Sequence, residues 1–425
     1  MSSHRDQALR LRARSVIPSG MYGHLSTRYL PDDFPQYFDR AQGAYLWDVD
    51  GRPYLDFMCA FGPNLLGYAH ESVDAAYIHQ LKSGDTMTGP SQRMIEFAEG
   101  LVELVTHADW AMFCKNGSDA TTMAVMTARA HTGCSKIIRA QGAYHGSAPW
   151  CTPQALGTTA GERGDQVTCT YNDVESLERA VAVAGQQLAA ILATPLKHDV
   201  LVDQEPPNPD YARRARELCD QTGALLVVDE VRAGLRLARD SSWAKLDVAP
   251  DLSCWGKAIA NGHPISALLG NDKAREAAAS IYVTGSYWYS AAPMAAGVET
   301  LRIVRTSDYL ERLERLGQRL RRGLDAAATS HGFHLRQTGP VQMPLFLFDN
   351  DPDLRQGFFW ASQMLQRGVY VHPWHNMFLC AAMTEADIDM TIAAAGEACA
   401  ALRAHVHTLT PIEKLKPLLG RTQHD

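Results

Sequence analysis

Between about residue 60 and residue 300, short apolar runs alternate with segments whose apolar residues recur at helical spacing. Two of these runs, LAAILATP at 188–195 and GALLVVDE at 223–230, are almost continuously apolar. Such runs are typical of parallel strands that helices cover on both faces. The segment PDYARRARELCDQTG predicts a helix that comes before the second run and ends at Gly223. The pattern therefore predicts an α/β fold whose large domain contains a mostly parallel sheet.

The chain on either side of this region has a different pattern. On the N-terminal side, AYLWDVDGRPYLDF predicts a β-hairpin, because Asp50 and Gly51 form a strong turn signal between two strand-like runs. On the C-terminal side, after about residue 305, the pattern changes to a long amphipathic helical segment, and a second helical segment comes later in the chain. We therefore expect an N-terminal segment at 1–57, a large domain at 58–305 and a smaller α+β domain at 306–425.

The two long helices of the C-terminal region are predicted from spacing and capping. In the first, the leucines at 310, 313, 316, 320 and 324 fall on one face. The second opens at Thr384, and Asp387 three residues later suits a capping box. Each helix therefore has the features of an element that packs against a core.

Composition narrows the possible functions. The 425 residues are 46% hydrophobic, which is ample for a large core, and the formal net charge is -7. No basic block is present, so we expect no nucleic-acid partner. We find no signal peptide and no apolar run near the roughly 20 residues of a membrane span. We therefore expect a soluble, cytoplasmic protein with no membrane partner.

The nine cysteines are scattered and form no C-x-x-C pair. We interpret them as buried, reduced thiols rather than as a disulfide framework or zinc ligands. No metal site is expected.

Two motifs could bind a planar, phosphorylated ligand. In CKNGSDATTMAVMTARA, Gly117 and Ser118 open a helix, where free N–H groups and the positive end of the helix dipole suit a phosphate. The alternative is that Ser118 only caps the helix. In GAYHGSAP, Tyr144 could stack on a planar ligand, or it could simply pack against the protein.

Two further motifs carry reactive groups. In ALLVVDEVRAG, Asp229 and Glu230 end an apolar strand, and in open α/β sheets ligands bind at that end. A carboxylate there could keep a ring nitrogen protonated; the alternative is an exposed acidic turn. In LSCWGKAIANG, Lys257 follows an apolar strand between glycines. Apolar surroundings lower the pKa of a lysine and make its amine a nucleophile, unless the side chain reaches the surface.

Taken together, the four motifs indicate pyridoxal 5'-phosphate (PLP). A phosphate site, a stacking aromatic, an aspartate at a strand end and a lysine that can form a Schiff base are the groups that this cofactor requires. The aspartate would keep the pyridine nitrogen protonated, so that the ring can accept electrons.

From about residue 10 to residue 400 the sequence resembles the class III aminotransferases of fold type I, nearest in pattern to the glutamate-1-semialdehyde aminomutase branch. Seven motifs follow one another in the order that is typical of this family: WDVDGRPYLDF, FGPNLLGYAH, NGSDATTMA, YHG, VVDEV, GKAIANGHPISALLG and AAG. The resemblance implies homodimers with shared active sites. It also implies a cofactor lysine at Lys257, a ring-nitrogen partner at Asp229, phosphate binding at Gly117 and Ser118, and ring-face contacts from Val231 and Tyr144.

The sequence departs from this family at the substrate end. Where the partner subunit usually supplies a Gly-Thr to the phosphate site, this chain has Gly285 and Ser286, and we assign the role to Ser286. Trp288 and Tyr289 then bring bulky aromatic rings towards the substrate, and Trp288 is a predicted substrate-binding residue. Arg28 is the counterpart of a carboxylate-binding arginine, whose planar fork suits a carboxylate.

We therefore predict a PLP-dependent aminotransferase that moves an amino group from an amine or amino acid to a keto acid, ketone or aldehyde through a Schiff base on Lys257. An aminomutase or epimerase of the same family is the alternative. The segments HPISALLG and HPWHNM lack an arginine and a carboxylate expected of the aminomutase, and they favour transfer. A nucleotide-binding oxidoreductase is disfavoured, since no G-x-G-x-x-G follows the first strand.

Overall fold

The structure is a computed structural model that describes residues 4–198 and 200–419. The chain forms two compact units. The terminal unit contains residues 4–70, 200–203 and 311–419, and the central unit contains residues 71–198 and 204–310. The outer limits of the predicted segments, residues 1 and 425, lie outside the described residues, and the boundaries at 57 and 305 stay a prediction.

Strands account for the apolar runs that the sequence shows. They are β1 (Phe38–Gln42), β2 (Tyr45–Asp48), β3 (Pro53–Asp56), β4 (Trp110–Cys114), β5 (Lys136–Ala140), β6 (Gln166–Cys169), β7 (Leu188–Ala193), β8 (Leu225–Asp229), β9 (Leu252–Trp255), β10 (Ser266–Gly270), β11 (Leu335–Thr338), β12 (Leu345–Phe348) and β13 (Val369–Tyr370).

Helices occupy most of the remaining chain. They are α1 (His4–Val16), α2 (Glu71–Ser83), α3 (Gln92–Leu104), α4 (Gly117–Thr132), α5 (Ala160–Arg163), α6 (Val174–Ala184), α7 (Pro209–Thr222), α8 (Arg275–Ser280), α9 (Ala291–Thr306), α10 (Tyr309–Ser330), α11 (Arg355–Gln366), α12 (Glu385–His405) and α13 (Lys416–Leu419).

The central unit is built on a seven-stranded sheet with the order β4-β10-β9-β8-β7-β5-β6. All neighbouring strands from β9 to β6 pair in parallel, and only β10 runs antiparallel to its two neighbours. Because β10 reverses the direction twice, β4 points the same way as β9. The carboxyl ends of β4, β7, β8 and β9 therefore meet at one edge of the sheet, the carboxyl edge. The predicted mostly parallel sheet is confirmed.

The core of this sheet explains its continuous apolar strands. Every residue of β7 and of β8 is buried, because helices such as α4 and α7 cover both faces. α7 begins at Pro209 after the N-cap residue Asn208 and ends at Gly223, which adopts a left-handed conformation with φ 77°. The end of this helix at Gly223 was predicted from the sequence and is confirmed.

The terminal unit holds the smaller sheets. β1, β2, β3 and β13 form one sheet, and β11 pairs with β12 in another. The predicted hairpin is confirmed by the antiparallel pairing of β2 with β3. The predicted leucine face of α10 is buried at all five positions, and Thr384 caps α12 in a capping box with Asp387. In the described part of the chain, no helix combines the length and apolar composition that crossing a bilayer requires.

Candidate functional site

Asp229 is the last residue of β8, at the carboxyl edge, and its side chain is buried. One carboxylate oxygen lies 2.7 Å from Nδ1 of His145, and the other accepts a hydrogen bond of 3.1 Å from the backbone N–H of Val231. A buried carboxylate held from two sides has a fixed orientation. A positively charged ligand group could therefore bind here without reorganising the carboxylate.

His145 holds Asp229 in place from the loop that contains GAYHGSAP. The imidazole is fully buried, and its second nitrogen, Nε2, has no hydrogen-bond partner among the described residues. The loop closes tightly on α4: a Cβ on Gly146 would lie 2.5 Å from Oγ of Ser118, and Gly146 has φ 120°. The backbone N–H of Ser147 donates to Oγ of Ser118 at 3.0 Å. The loop is thereby fixed to the start of the helix.

Glu230, next to Asp229, is buried as well, so the interpretation of this pair as an exposed acidic turn is wrong. Its carboxylate accepts hydrogen bonds from the hydroxyls of Ser241 and Ser242 and from the backbone N–H of Ser242. Burial raises its pKa to about 7 in spite of these bonds. Glu230 therefore anchors the loop after β8, whereas Asp229 is held by the histidine.

Lys257 follows β9 and Gly256 at the same edge of the sheet. Its backbone has φ 48°, a left-handed conformation that is costly for a residue with a side chain and is often found at functional sites. Burial lowers the pKa of Lys257 to about 7, and the charge of Arg232 contributes, against the opposing effect of Asp229. Both effects act in the direction that the sequence predicts, and Lys257 is partly buried; its role stays a prediction.

The start of α4 closes the site. Asn116 is the N-cap residue, and its backbone N–H donates to the Asp119 carboxylate at 2.9 Å, so the interpretation of Ser118 as the cap is wrong. Gly117 is packed so closely that a Cβ there would lie 2.6 Å from Val231. A Cβ on Gly256 would lie 3.5 Å from the same valine. The helix start, the end of β8 and the loop of Lys257 are thus brought together.

Tyr144 and the segment 281–289 differ from these buried groups. The tyrosine side of the loop is open, and Tyr144 is 42% exposed. In the segment 281–289, Ser286 is exposed, and the backbone N–H of Trp288 donates to the carbonyl oxygen of Gly285 in a turn. Trp288 packs partly against the core of the central unit. The roles predicted for Tyr144, Ser286 and Trp288 stay predictions.

Arg28 belongs to the terminal unit. It lies in a short 3-10 helix, Thr27–Tyr29, and its guanidinium carbon is 5.2 Å from the centroid of the Tyr29 ring. The side chain is exposed, and its predicted role in carboxylate binding stays a prediction.

Four polar residues near this edge were not identified as site residues from the sequence: His145, His198, Arg232 and Arg236. Arg232 and Arg236 lie close enough to Lys257 for their charges to lower its pKa. Both arginines follow β8 within seven residues of Asp229. This closeness in the sequence is the feature that could have identified them as site residues. His198 comes from a different loop, and only the fold brings it near.

Comparison with known proteins gives a consistent result. The family model for class-III aminotransferases matches residues 31–384, a range that includes every predicted site residue except Arg28. The chain is 55% identical over 416 residues to the aminopentol aminotransferase of Sphingopyxis macrogoltabida, covering 98% of this chain and 99% of that protein. It is 31% identical to the glutamate-1-semialdehyde 2,1-aminomutase of Roseiflexus castenholzii, over 94% of this chain and 98% of that protein.

Among solved structures, the FumI protein of Sphingopyxis sp. MTA144 in its PLP internal aldimine form has a TM-score of 0.96. It is 55% identical to this chain, and the match covers 98% of this chain and all of that one. An omega-transaminase from Sphaerobacter thermophilus has a TM-score of 0.84 at 26% identity, covering 93% of this chain and 97% of that one. Both comparisons therefore include aminotransferases among the proteins that this chain resembles.

Proposed function

The chain belongs to the class-III aminotransferase family. From this premise we propose that Lys257 is the residue that forms the Schiff base with the cofactor. The protein is a PLP-dependent aminotransferase with the fold type I architecture that the sequence predicts. One observation carries the proposal for Lys257: its pKa is lowered to about 7 at the same edge of the sheet where His145 holds the buried carboxylate of Asp229, whose charge acts on the lysine. Near neutral pH, a large fraction of such an amine is uncharged and nucleophilic.

The residues at this edge fit PLP. When bound, the cofactor supplies an aldehyde carbon for the lysine and a ring that stabilises negative charge. Asp229, oriented by His145, would pair with the ring nitrogen, while the N–H groups at Gly117 and Ser118 would bind the phosphate. Val231 would contact one face of the ring and Tyr144 the other. The tight approach of Gly117 to Val231, which a Cβ would prevent, supports this arrangement.

Lys257 has a second task in the proposed mechanism. Once an amino donor has entered, Nζ of Lys257 would accept a proton from the donor carbon and later release it, acting as general base and then as general acid. A pKa near the working pH suits both directions of this transfer. Arg232 and Arg236 support the role, because their charges disfavour the protonated amine.

We propose that the amino donor is an amine of the aminopentol kind, with several hydroxyl groups. The support is the aminotransferase that is 55% identical over almost the full chain and whose name gives this substrate. In the resembled family a Gly-Asn-Pro follows the Gly-Thr, and this chain has Tyr289, Ser290 and Ala291 there, with Trp288 beside them. These aromatic rings are consistent with an unusual donor. The aminomutase alternative is less well supported, because the aminomutase relative is only 31% identical.

A donor half-reaction tests this function. Purified holoenzyme is mixed with an aminopentol and no acceptor, and the cofactor spectrum is followed. We expect conversion to the aminated cofactor, and we expect an amine of equal length without hydroxyl groups to react at least about tenfold more slowly. Equal rates for the two amines would contradict the donor proposal alone. An isomerised substrate formed without acceptor would contradict transfer itself.

We further propose a cytoplasmic homodimer in which Ser286 of one subunit reaches the phosphate bound by the other. The support is the matching Gly-Thr position in the resembled family together with the exposure of Ser286 on the central unit. Arg28 would bind the carboxylate of a keto-acid acceptor. The acceptor is proposed as its ligand because the name of the donor, an aminopentol, specifies hydroxyl groups and no carboxylate.

A further inference from the structure

Trp288 is folded back over the turn that contains Ser286. Its backbone N–H donates to the carbonyl oxygen of Gly285 at 3.0 Å, which puts Ser286 and Tyr287 at the two middle positions of the turn. The indole covers the glycine: a Cβ on Gly285 would lie 2.3 Å from Nε1 and 2.4 Å from Cδ1 of Trp288. The backbone of Gly285 is not left-handed, so it is the indole that leaves no room for a side chain there.

The indole is itself held in place from its other side. Trp288 is partly buried and packs against the apolar cluster that residues of α4 and of the neighbouring strands form. The next ring in the chain, Tyr287, is 66% exposed. A methyl group on Gly285 could therefore be accommodated only by moving the indole away from its contact with the core.

The far end of the turn segment is anchored as well. Ser290 is buried, and α9 begins at the next residue. The backbone N–H of Ala291 donates to the carbonyl oxygen of Asp85 at 3.1 Å. The backbone N–H of Ala292 donates to the carboxylate of the same aspartate at 2.8 Å. The segment is thus fixed at both ends of the turn, while Ser286 stays on its exposed side.

We propose that Trp288 is a positioning residue for Ser286, and that its indole holds the turn in the shape in which the serine hydroxyl can bind a phosphate group. The inference rests on the proposed role of Ser286 at the cofactor phosphate of the neighbouring subunit. Ordering an exposed segment at the moment of binding costs affinity, so a turn that is already fixed binds the phosphate more tightly. Trp288 acts on the cofactor through Ser286, and direct contact with the donor is the competing role.

The first test measures whether the indole holds the turn. Hydrogen–deuterium exchange of the full-length holoenzyme is followed by mass spectrometry on the peptide that contains residues 285–290. In Trp288→Ala the amide N–H at position 288 should exchange at least about tenfold faster, because the turn opens more often. Gly285→Ala, whose methyl group displaces the indole, should have the same effect. Unchanged exchange in both variants would overturn the proposal.

Gly161→Ala is the matched control for the glycine substitution. A Cβ on this glycine of the same unit would have its nearest neighbour at 3.9 Å, an ordinary contact distance, so exchange at 285–290 should not change. The double variant Gly285→Ala/Trp288→Ala tests the contact itself. Its methyl group meets no indole, so exchange should be no faster than in Trp288→Ala alone. Additive increases would mean that the two residues act independently, and would overturn the proposal.

The second test measures the consequence for the cofactor. The dissociation constant of PLP should rise about tenfold in Trp288→Ala, the effect of losing one hydrogen bond to a charged group. That of pyridoxal, which lacks the phosphate, should stay the same. An equal loss for both compounds would indicate a general structural defect, and weaker donor binding with unchanged PLP affinity would make Trp288 a substrate-binding residue. Either result would overturn the proposal. If Trp288→Ala does not fold, Gly285→Ala provides the same comparison.

Ser286→Ala separates this inference from the proposed function. In the Ser286→Ala background, Trp288→Ala should weaken PLP binding no further, because the indole acts through the serine. A further loss of affinity would overturn the positioning role. If Ser286→Ala alone leaves PLP affinity unchanged, the proposed shared site is wrong, and this inference falls with it. A loss in Ser286→Ala without a loss in Trp288→Ala would overturn the inference alone.

Discussion

Two parts of the central unit differ in how far their functional side chains are exposed to solvent. At the carboxyl edge, Asp229 and Glu230 are buried and hydrogen-bonded to neighbouring side chains. In the segment 281–289, Tyr282 is 87% and Tyr287 66% exposed. Both parts belong to the predicted active site. The difference indicates that the groups proposed for the chemistry are organised by the sheet itself, whereas the segment that contains Ser286 and Trp288 also exposes large aromatic rings to solvent.

This difference has a physical reason. A carboxylate or amine that must have a shifted pKa has to be withdrawn from water, and a buried polar group is stable only when it is partnered. Rings that contact a varied substrate have no such requirement, because their apolar surface can be covered when a ligand or a subunit binds. Variants in the first part should therefore affect chemistry, and variants in the second should affect binding and assembly.

Lys257→Ala gives the largest expected effect. Turnover should fall by at least about a thousandfold, because the nucleophile and the proton carrier are lost together, while the folded protein still binds PLP non-covalently. Steady-state turnover and equilibrium dialysis of PLP measure the two properties. Lys245→Ala is the control, since this lysine belongs to the same unit and its amine donates to the carbonyl oxygen of Leu237 at 3.0 Å. Turnover within tenfold of the wild type would contradict the assignment.

Asp229→Asn should affect the rate of the donor half-reaction more than the binding of PLP. The amide removes the negative charge that would keep the ring nitrogen protonated, so the donor half-reaction should slow about a hundredfold. The dissociation constant for PLP should rise less than about tenfold, since the phosphate contacts remain. Glu230→Gln, a charge removal one residue away, should change the half-reaction little. Equal effects of the two substitutions would mean that the position of the charge is unimportant.

Ser286 tests whether the open segment serves a neighbouring subunit. We mix Lys257→Ala chains with Ser286→Asp chains, whose added charge should repel the phosphate. In a shared-site heterodimer, the Ser286→Asp chain keeps its lysine and receives an intact Ser286 from its partner. Random mixing at equal amounts should then restore about a quarter of the wild-type sites, measured as turnover and bound PLP. Heterodimers that form without any gain over the parent proteins would contradict the shared site.

The smallest expected effect is that of the Glu230 carboxyl group on the pH dependence of the unfolding free energy. Its pKa in the folded protein is raised from 4.5 to about 7, so the folded state binds the proton more tightly than the unfolded state. Its stabilising contribution is complete below about pH 4.5 and is lost as the pH rises through about 7. Relative to Glu230→Gln, the wild type should lose about 3 kcal/mol in unfolding free energy over this range. Urea unfolding at several pH values measures it, and a pH-independent difference would contradict it.

The sequence predicts strands such as β7 and β8, helices such as α7, α10 and α12, and the four motifs, because these depend on local pattern. β8 is recognisable from its continuous apolar run, and the position of Asp229 follows from the end of that run. The partners of these residues are not predictable in the same way. Nothing near His145 or His198 in the sequence indicates an aspartate or a lysine as neighbour, because the contacts form only when strands distant in the chain pair in the sheet. Glu230 could not be recognised as buried, since the serines that satisfy it lie more than ten residues further on.

The central claim is that Lys257 carries the cofactor, and one measurement tests it most directly. The purified holoenzyme is reduced with borohydride, which makes a lysine–PLP link permanent, and the protein is then digested and mapped by mass spectrometry. We expect the cofactor mass on the peptide that contains Lys257, with loss of the visible absorbance band, and no label on that peptide if PLP is removed first. A label on a different lysine, or no covalent label at all, would contradict the account.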